Sequence, residues 1–330
     1  MSDMVVIGAG AWGCTFARLS AQAGARVTLA CHTTEQAMVL RETRHDRIHL
    51  GEVALPDEVR VTHVTDPDAL DGATIVVIAL PSRVVAAEAA ALGPRIPGGA
   101  GVLSLTKGLE PGTGRVLSDV WRDAAPGTPF AVLSGPNHAE EIAQGQPAAA
   151  VVSGDGALAA RVQESISGPA FRVYVNDDLV GVELCGAAKN VIALAAGMSD
   201  GLGFGDNAKA ALITRGLAEM TRLGCAAGAT DATFRGLAGM GDLIATCTSR
   251  HSRNRRAGEL IARGMPADAV EQEIGQVVEG LATVQALLTR AEAAGVELPI
   301  SEQVAAAAFD GRSPPECLRN LMARAPAAEA

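Results

Sequence analysis

Residues 4–13 read MVVIGAGAWG, an apolar β-branched run that breaks into glycine and opens straight into a helical pattern. Gly8, Gly10 and Gly13 stand at that junction in the order G-x-G-x-x-G. A glycine at the first position permits a tight turn, and one at the second lets the backbone approach a pyrophosphate. The third lets the helix pack close to the strand. Beyond the turn, the helix N-terminus offers unpaired N–H groups and the positive end of its dipole to an anion. A glycine turn alone could belong to any α/β protein. With a strand before it and a helix after it, at the head of the chain, it points to a βαβ unit that binds a dinucleotide.

Further strands are expected at 26–30, 74–80, 100–105, 130–135, 148–154 and 171–175, with helical patterns between them such as SRVVAAEAAAL at 82–92. Continuous apolar strands alternating with helices specify an α/β, Rossmann-type, doubly wound parallel sheet. After about residue 178 the strand signals stop, and helices are expected at 179–197, 208–224, 254–263, 280–295 and 300–309. DGLGFGDN, GLAGMGD and breaks at Pro299, Pro314 and Pro315 separate them. The expected organisation is therefore a dinucleotide-binding domain over 1–178 and an all-helical domain over 179–330, the one that carries Lys189, Asp242 and the 250–256 cluster. No serine- or proline-rich linker marks the border, no internal repeat is visible, and the tail APAAEA is expected to fray.

Composition narrows the function classes. The net charge of −10 argues against a general nucleic-acid binder, which needs a basic face. Strand-like sequence from Met4 leaves no room for a signal peptide, and no run is expected to reach the ~18 apolar residues of a membrane span. Six cysteines without C-x-x-C or metal-ligand spacing suit a reducing cytoplasm. His45, His49, His63 and His138 lack ligand spacing, so no metal is expected, and there is no G-x-S-x-G nucleophile elbow. Of 27 basic residues only Lys107, Lys189 and Lys209 are lysine, and the other 24 are arginine. Arginine effectively never deprotonates, so these lysines are candidates for work that arginine cannot do.

Lys189 lies in ELCGAAKNVIALAAG, where helical spacing surrounds it with Cys185, Gly186, Ile192 and Ala193. It either snorkels from a half-buried helix or serves as a buried acid/base, since burial disfavours the ammonium form. RHSRNRR at 250–256 gathers Arg250, His251, Arg253, Arg255 and Arg256 in an otherwise acidic chain. Arg255 and Arg256 are assigned to a solvated face, and Ser252, Arg253 and Asn254 before a helix to a phosphate pocket. Asp242 is either a helix cap or the partner that orients Lys189, and Asp206 is expected to cap the helix carrying Lys209. An NAD-specific site would place a carboxylate where Cys31 and His32 fall, and Glu35 comes late for that role. NADP(H) is thus the expected cofactor, with NAD(H) still possible.

Together, GAGAWG, LTKGLE, LSGPNHAEE, CGAAKNV, GDNAKAALITRGL, GMGDLIATC and HSRN resemble the bacterial NAD(P)-dependent glycerol-3-phosphate dehydrogenases, in order and spacing across residues 4 to about 310. The resemblance implies hydride exchange between NAD(P)H and the pair dihydroxyacetone phosphate and sn-glycerol 3-phosphate, in support of phospholipid synthesis. It implies Lys189 as proton donor and acceptor, and Lys107 as a contact of both cofactor and substrate. Gly135, Asn137, Asp242, Ser252, Arg253 and Asn254 fall on the substrate side. Gly8, Gly10, Ala11, Trp12, Gly13, His32, Ala139, Val277 and Glu279 fall on the cofactor side, with Arg253 touching both. The family often has Ser or Thr where this chain has Asn137, and a different ending to the second strand. A homodimer would fit this reading. Two other readings compete: a two-domain hydroxy-acid dehydrogenase with a catalytic lysine, and a regulatory protein that senses NADPH without turnover. HSRN argues against the first. The joint presence of Lys189, Asp242 and Arg253 argues against the second.

Overall fold

The structure is a computed structural model in which residues 3–46, 50–51 and 53–325 are described. His49 and residues 326–330 of the expected frayed tail lie outside them. The chain divides into two compact units, one of residues 1–107 and 116–183, the other of 108–115 and 184–330.

The first unit carries strands β1 (Asp3–Ile7), β2 (Arg26–Cys31), β3 (Arg60–His63), β4 (Ile75–Ile78), β5 (Gly101–Ser104), β6 (Phe130–Ser134), β7 (Ala148–Gly154) and β8 (Phe171–Asn176). Its helices are α1 (Ala11–Gln22), α2 (Thr34–Thr43), α3 (Ser82–Leu92), α4 (Leu117–Ala124), α5 (Ala139–Ala143) and α6 (Gly156–Ile166). The strands form one sheet in the order β3-β2-β1-β4-β5-β6-β7-β8. Both faces are covered. In β1, Met4 and Val6 enter one apolar cluster, while Val5 and Ile7 enter the other. That two-sided burial is why the strand reads as continuously apolar.

Two features depart from the sequence reading. β3 is a short edge strand, and RVTH carries too few apolar residues to announce itself. β7 runs antiparallel to β6, so the sheet is mostly parallel rather than wholly so. A parallel return needs a crossover element that spans the sheet. The helix available between β6 and β7 is only five residues, held between proline and glycine, and the chain folds straight back.

The second unit is helical: α7 (Leu179–Gly201), which begins in the first unit, then α8 (Asp206–Ala226) and α9 (Asp231–Arg235). A π turn at Leu237–Gly241 leads into α10 (Asp242–Thr248). There follow α11 (Arg253–Ala262), α12 (Ala267–Ile274), α13 (Glu279–Ala294), α14 (Pro299–Phe309) and α15 (Pro314–Met322). Pro314 and Pro315 were expected to break structure; they occupy the first turn of α15, where the missing N–H costs nothing. Asp206 sits inside the first turn of α8, and Gly205 holds the cap position.

α7 corrects a further expectation. Its 23 residues include an 18-residue window of mean hydropathy 1.6, which is long and apolar enough to cross a bilayer. That window is 83% buried within the protein, so its apolar character is that of a core helix. Small residues let α11 press against it. A Cβ on Gly258 would lie 2.0 Å from the Leu194 carbonyl oxygen, and one on Gly197 1.8 Å from that of Arg255.

Two buried glutamates cap helices that have no side-chain cap of their own. Glu183 accepts from the Ser118 N–H at 2.9 Å, at the start of α4, and from the Ser118 hydroxyl at 2.5 Å. Glu219 accepts from the Ile300 N–H at 2.6 Å, at the start of α14. Burial pushes each carboxyl up to about 7, against the pull of those hydrogen bonds.

Candidate active site

In the first unit, the candidate residues gather at the carboxyl ends of the parallel strands, where open α/β sheets bind ligands. The glycine turn follows β1. Gly8 has φ +104°, and a Cβ there would lie 2.5 Å from the Ala79 carbonyl oxygen, so only glycine makes this turn. A Cβ on Gly13 would lie 1.9 Å from the Gly8 oxygen, which is the close helix–strand approach the motif requires. A Cβ on Gly10 would meet no protein atom within 4 Å. That open face lies beside the first turn of α1, with Ala11 and Trp12, where helix N–H groups have no intrahelical acceptor. The residues therefore fit a pyrophosphate.

Neighbouring side chains hold this loop. Gln36 of α2 donates to the Ala9 carbonyl at 2.8 Å, and the Thr15 hydroxyl donates to the Ala139 carbonyl at 3.2 Å, which ties α5 to α1. Lys107, just past β5, donates to the Gly135 carbonyl past β6 at 2.7 Å. Asn137 donates to the Ala149 carbonyl at 3.1 Å, so its amide braces the turn against β7. At the end of β2, Cys31 is buried, His32 is exposed, and Thr33 caps α2 through a bond from Gln36 N–H at 3.1 Å. Glu35 lies in that helix's first turn. A carboxylate does come near, from a place the sequence does not suggest: Glu88 Oε1 of α3 is 3.8 Å from His32 Nδ1.

In the second unit, Lys189 does not snorkel. Its side chain is 7% exposed, and Nζ lies 2.6 Å from Asp242 Oδ1, itself on a side chain 3% exposed. Nζ also donates to the Thr246 hydroxyl at 2.7 Å, which in turn donates to the Asp242 carbonyl at 2.7 Å. Asp242 and Thr246 are one turn apart on α10, so both face the lysine. The i,i+4 spacing was readable in GDLIAT, yet Thr246 stood out only once the lysine was placed. Nearby, burial pushes the Cys247 thiol up to about 12, while the Lys189 ammonium pulls it the other way.

The HSRN segment divides its labour. Ser252 caps α11, accepting from Arg255 N–H at 3.2 Å. Arg253 is exposed and donates to the Val277 carbonyl at 3.2 Å, beside Glu279 at the head of α13. Asn254 is buried, and both ends of its amide are engaged within the protein. Arg255, assigned above to a solvated face, instead reaches Asp200 and Glu259, each at 2.7 Å, and the Ser249 carbonyl at 3.0 Å. Lys209 joins the same cluster through Asp200 at 2.7 Å. Among the described residues, no three His, Cys, Asp or Glu side chains gather as a metal-ligating group.

A dinucleotide-binding sheet followed by helices that bury a lysine against an aspartate defines an NAD(P)-dependent oxidoreductase of two-domain plan. The comparisons narrow this to one family. The NAD-dependent glycerol-3-phosphate dehydrogenase N-terminus matches residues 3–159, and the C-terminus of the same family matches 178–319. A glycerol-3-phosphate dehydrogenase [NAD(P)+] of Thermus thermophilus is 48% identical over 99% of each chain. One from Geobacillus thermodenitrificans is 45% identical over 98% of this chain and 95% of its own. The crystal structure of glycerol-3-phosphate dehydrogenase from Coxiella burnetii superposes with a TM-score of 0.94 at 34% identity, covering 98% of this chain and 99% of that one. The chain belongs to the NAD-dependent glycerol-3-phosphate dehydrogenase family.

Proposed function

We propose that the protein interconverts dihydroxyacetone phosphate and sn-glycerol 3-phosphate, with Lys189 as the general acid and base. The observation that carries this is the buried contact among Lys189, Asp242 and Thr246. The names of the relatives supply the substrate pair. Bound NAD(P)H supplies the hydride. As the C2 carbonyl is reduced, negative charge grows on its oxygen, and Lys189 is the group that hands it a proton. A carboxylate in direct contact favours the ammonium form, the form that donates. Thr246 fixes the direction of the ammonium, and burial keeps bulk water from competing for the proton.

Gly8, Gly10, Ala11, Trp12 and Gly13 hold the cofactor's pyrophosphate, with Ala139, Val277 and Glu279 on the cofactor side. Lys107 and the Gly135–Asn137 turn serve the substrate. Arg253 and the first N–H groups of α11 anchor its phosphate, because a planar guanidinium fork matches phosphate oxygens. NADPH is preferred over NADH because residues 31–34 place no carboxylate against a 2′-phosphate; the Glu88 carboxylate, 3.8 Å from His32, works against that preference.

Lys189→Arg tests the acid/base role. It keeps a positive charge beside Asp242 but cannot share its proton, so kcat should fall ~10²–10⁴-fold while NADPH still binds. Turnover within a few-fold of wild type would refute the assignment.

A further inference from the structure

We infer that Glu271 is a positioning residue for the coenzyme: it holds the 275–278 loop in one shape and so presents Val277 and Glu279 to bound NAD(P)H. The inference rests on the reading that puts those two residues on the cofactor side. Glu271 lies on α12 and reaches the loop at both ends. Its main-chain carbonyl accepts from the Gly275 N–H at 2.9 Å, and its side-chain Oε1 accepts from the Val278 N–H at 2.9 Å. Gly275 closes α12 in the left-handed region at φ +74°, a conformation that favours glycine and turns the chain out of the helix. Val278 stands at the cap position of α13, and its own side chain offers that helix no hydrogen bond. Gln276 and Val277 are thus strung between two bonds to a single residue.

The sequence of α13 explains why this bond comes from another helix. A capping box would place Glu or Gln at the third helical position, where it reaches back to the main-chain N–H of the cap residue. Leu281 stands there instead. Glu271 makes the bond from the preceding helix, much as Glu183 and Glu219 serve the starts of α4 and α14. A carboxylate at that end also complements the helix dipole. Val270, next to Glu271, and Val278 are both fully buried, so packing fixes the two ends of the bridge. Without the carboxylate, the Val278 N–H loses this acceptor, and the residues on either side of it, Val277 and Glu279, lose a fixed geometry. The loss is felt in coenzyme binding, because the ligand must then order the loop itself. Lys189, Asp242 and Thr246 lie on α7 and α10, outside this loop, so the proton-transfer step keeps its geometry.

Glu271→Ala removes the acceptor at a helical position that alanine suits. The Kd for NADPH, read by fluorescence titration without turnover, should rise about tenfold, and KM for NADPH with it. At saturating coenzyme, kcat and the KM for dihydroxyacetone phosphate should stay within about threefold of wild type. Two further variants separate the bond from the charge. Glu271→Gln keeps a side-chain oxygen at the same reach and should bring the Kd back to within about threefold of wild type. Glu271→Asp keeps the charge but is one methylene too short, and it should match the alanine variant. If Glu271→Ala does not fold, the Gln and Asp variants decide the matter between them. An unchanged NADPH Kd in the Ala or Asp variant, whatever its Tm, overturns the inference. A Gln variant that binds as weakly as Ala overturns it too, since the charge and not the bond would then matter. Wild-type protein that binds NADPH but leaves it unoxidised with dihydroxyacetone phosphate overturns the functional reading, while the Kd series still tests Glu271.

Discussion

Arg253 and Arg255 stand two residues apart in one motif and face opposite fates. Arg253 is exposed and commits one nitrogen to Val277, whereas Arg255 is locked between Asp200 and Glu259. Arg253→Ala should therefore raise KM for dihydroxyacetone phosphate by about ten- to a hundredfold, with a smaller rise for the cofactor. Steady-state kinetics on the purified variant checks this, and an unchanged KM would remove Arg253 from the phosphate site. Sequence spacing marked the cluster as functional but could not sort its members, because sorting depends in part on Asp200, which another helix brings. The same holds for Glu183 and Glu219, which composition cannot distinguish from surface glutamates. Their folded-state pKa of about 7 lies above the ordinary value of 4.5. The native state thus binds protons more tightly, so this stability is fully present below about 4.5 and is lost as pH rises through about 7. Each contributes up to about 3 kcal/mol to that slope. Glu219→Gln should flatten the fall of Tm between pH 5 and 8, and a variant with the wild-type slope would contradict the assignment.

At the scale of elements, most of the sheet was legible because strands buried on both faces read as unbroken apolar runs. α7 was legible for the same reason. β3 was not, since an edge strand of four residues with an exposed arginine has no pattern to read. The reversal at β7 was hidden because strand direction is set by the length of the connection, not by the strand's own residues. The π turn before α10 left no periodic signal, yet it delivers Asp242 to Lys189. The glycine turn makes a contrast that two substitutions can measure. Gly13→Ala would force a Cβ to 1.9 Å from the Gly8 oxygen and should lower Tm by several degrees. Gly10→Ala adds a methyl that meets no protein atom, so Tm should hold while the Kd for NADPH rises about tenfold or more. Equal NADPH affinity in Gly10→Ala and wild type, by fluorescence titration, would show that the pyrophosphate lies elsewhere.

At the scale of the whole molecule, a chain of net charge −10 is read here as binding two anionic ligands, so its positive groups must be local and well placed. In the proposed function Arg253 and Lys107 meet that need, in the second and first units respectively, and the α1 and α11 N-termini add N–H groups. The proposed NADPH preference rests on the balance of charge at the end of β2. Removing the Glu88 carboxylate takes a negative charge from the end of β2, so Glu88→Gln should raise the NADPH-to-NADH ratio of kcat/KM by severalfold. A lowered ratio would mean that Glu88 does not face the 2′-position. The account as a whole rests on one reaction. The most direct measurement follows NADPH absorbance as dihydroxyacetone phosphate is added to the purified protein, with the product identified. The account predicts stoichiometric NADPH oxidation that yields sn-glycerol 3-phosphate and is lost in Lys189→Arg. NADPH that remains unoxidised at saturating dihydroxyacetone phosphate would contradict it.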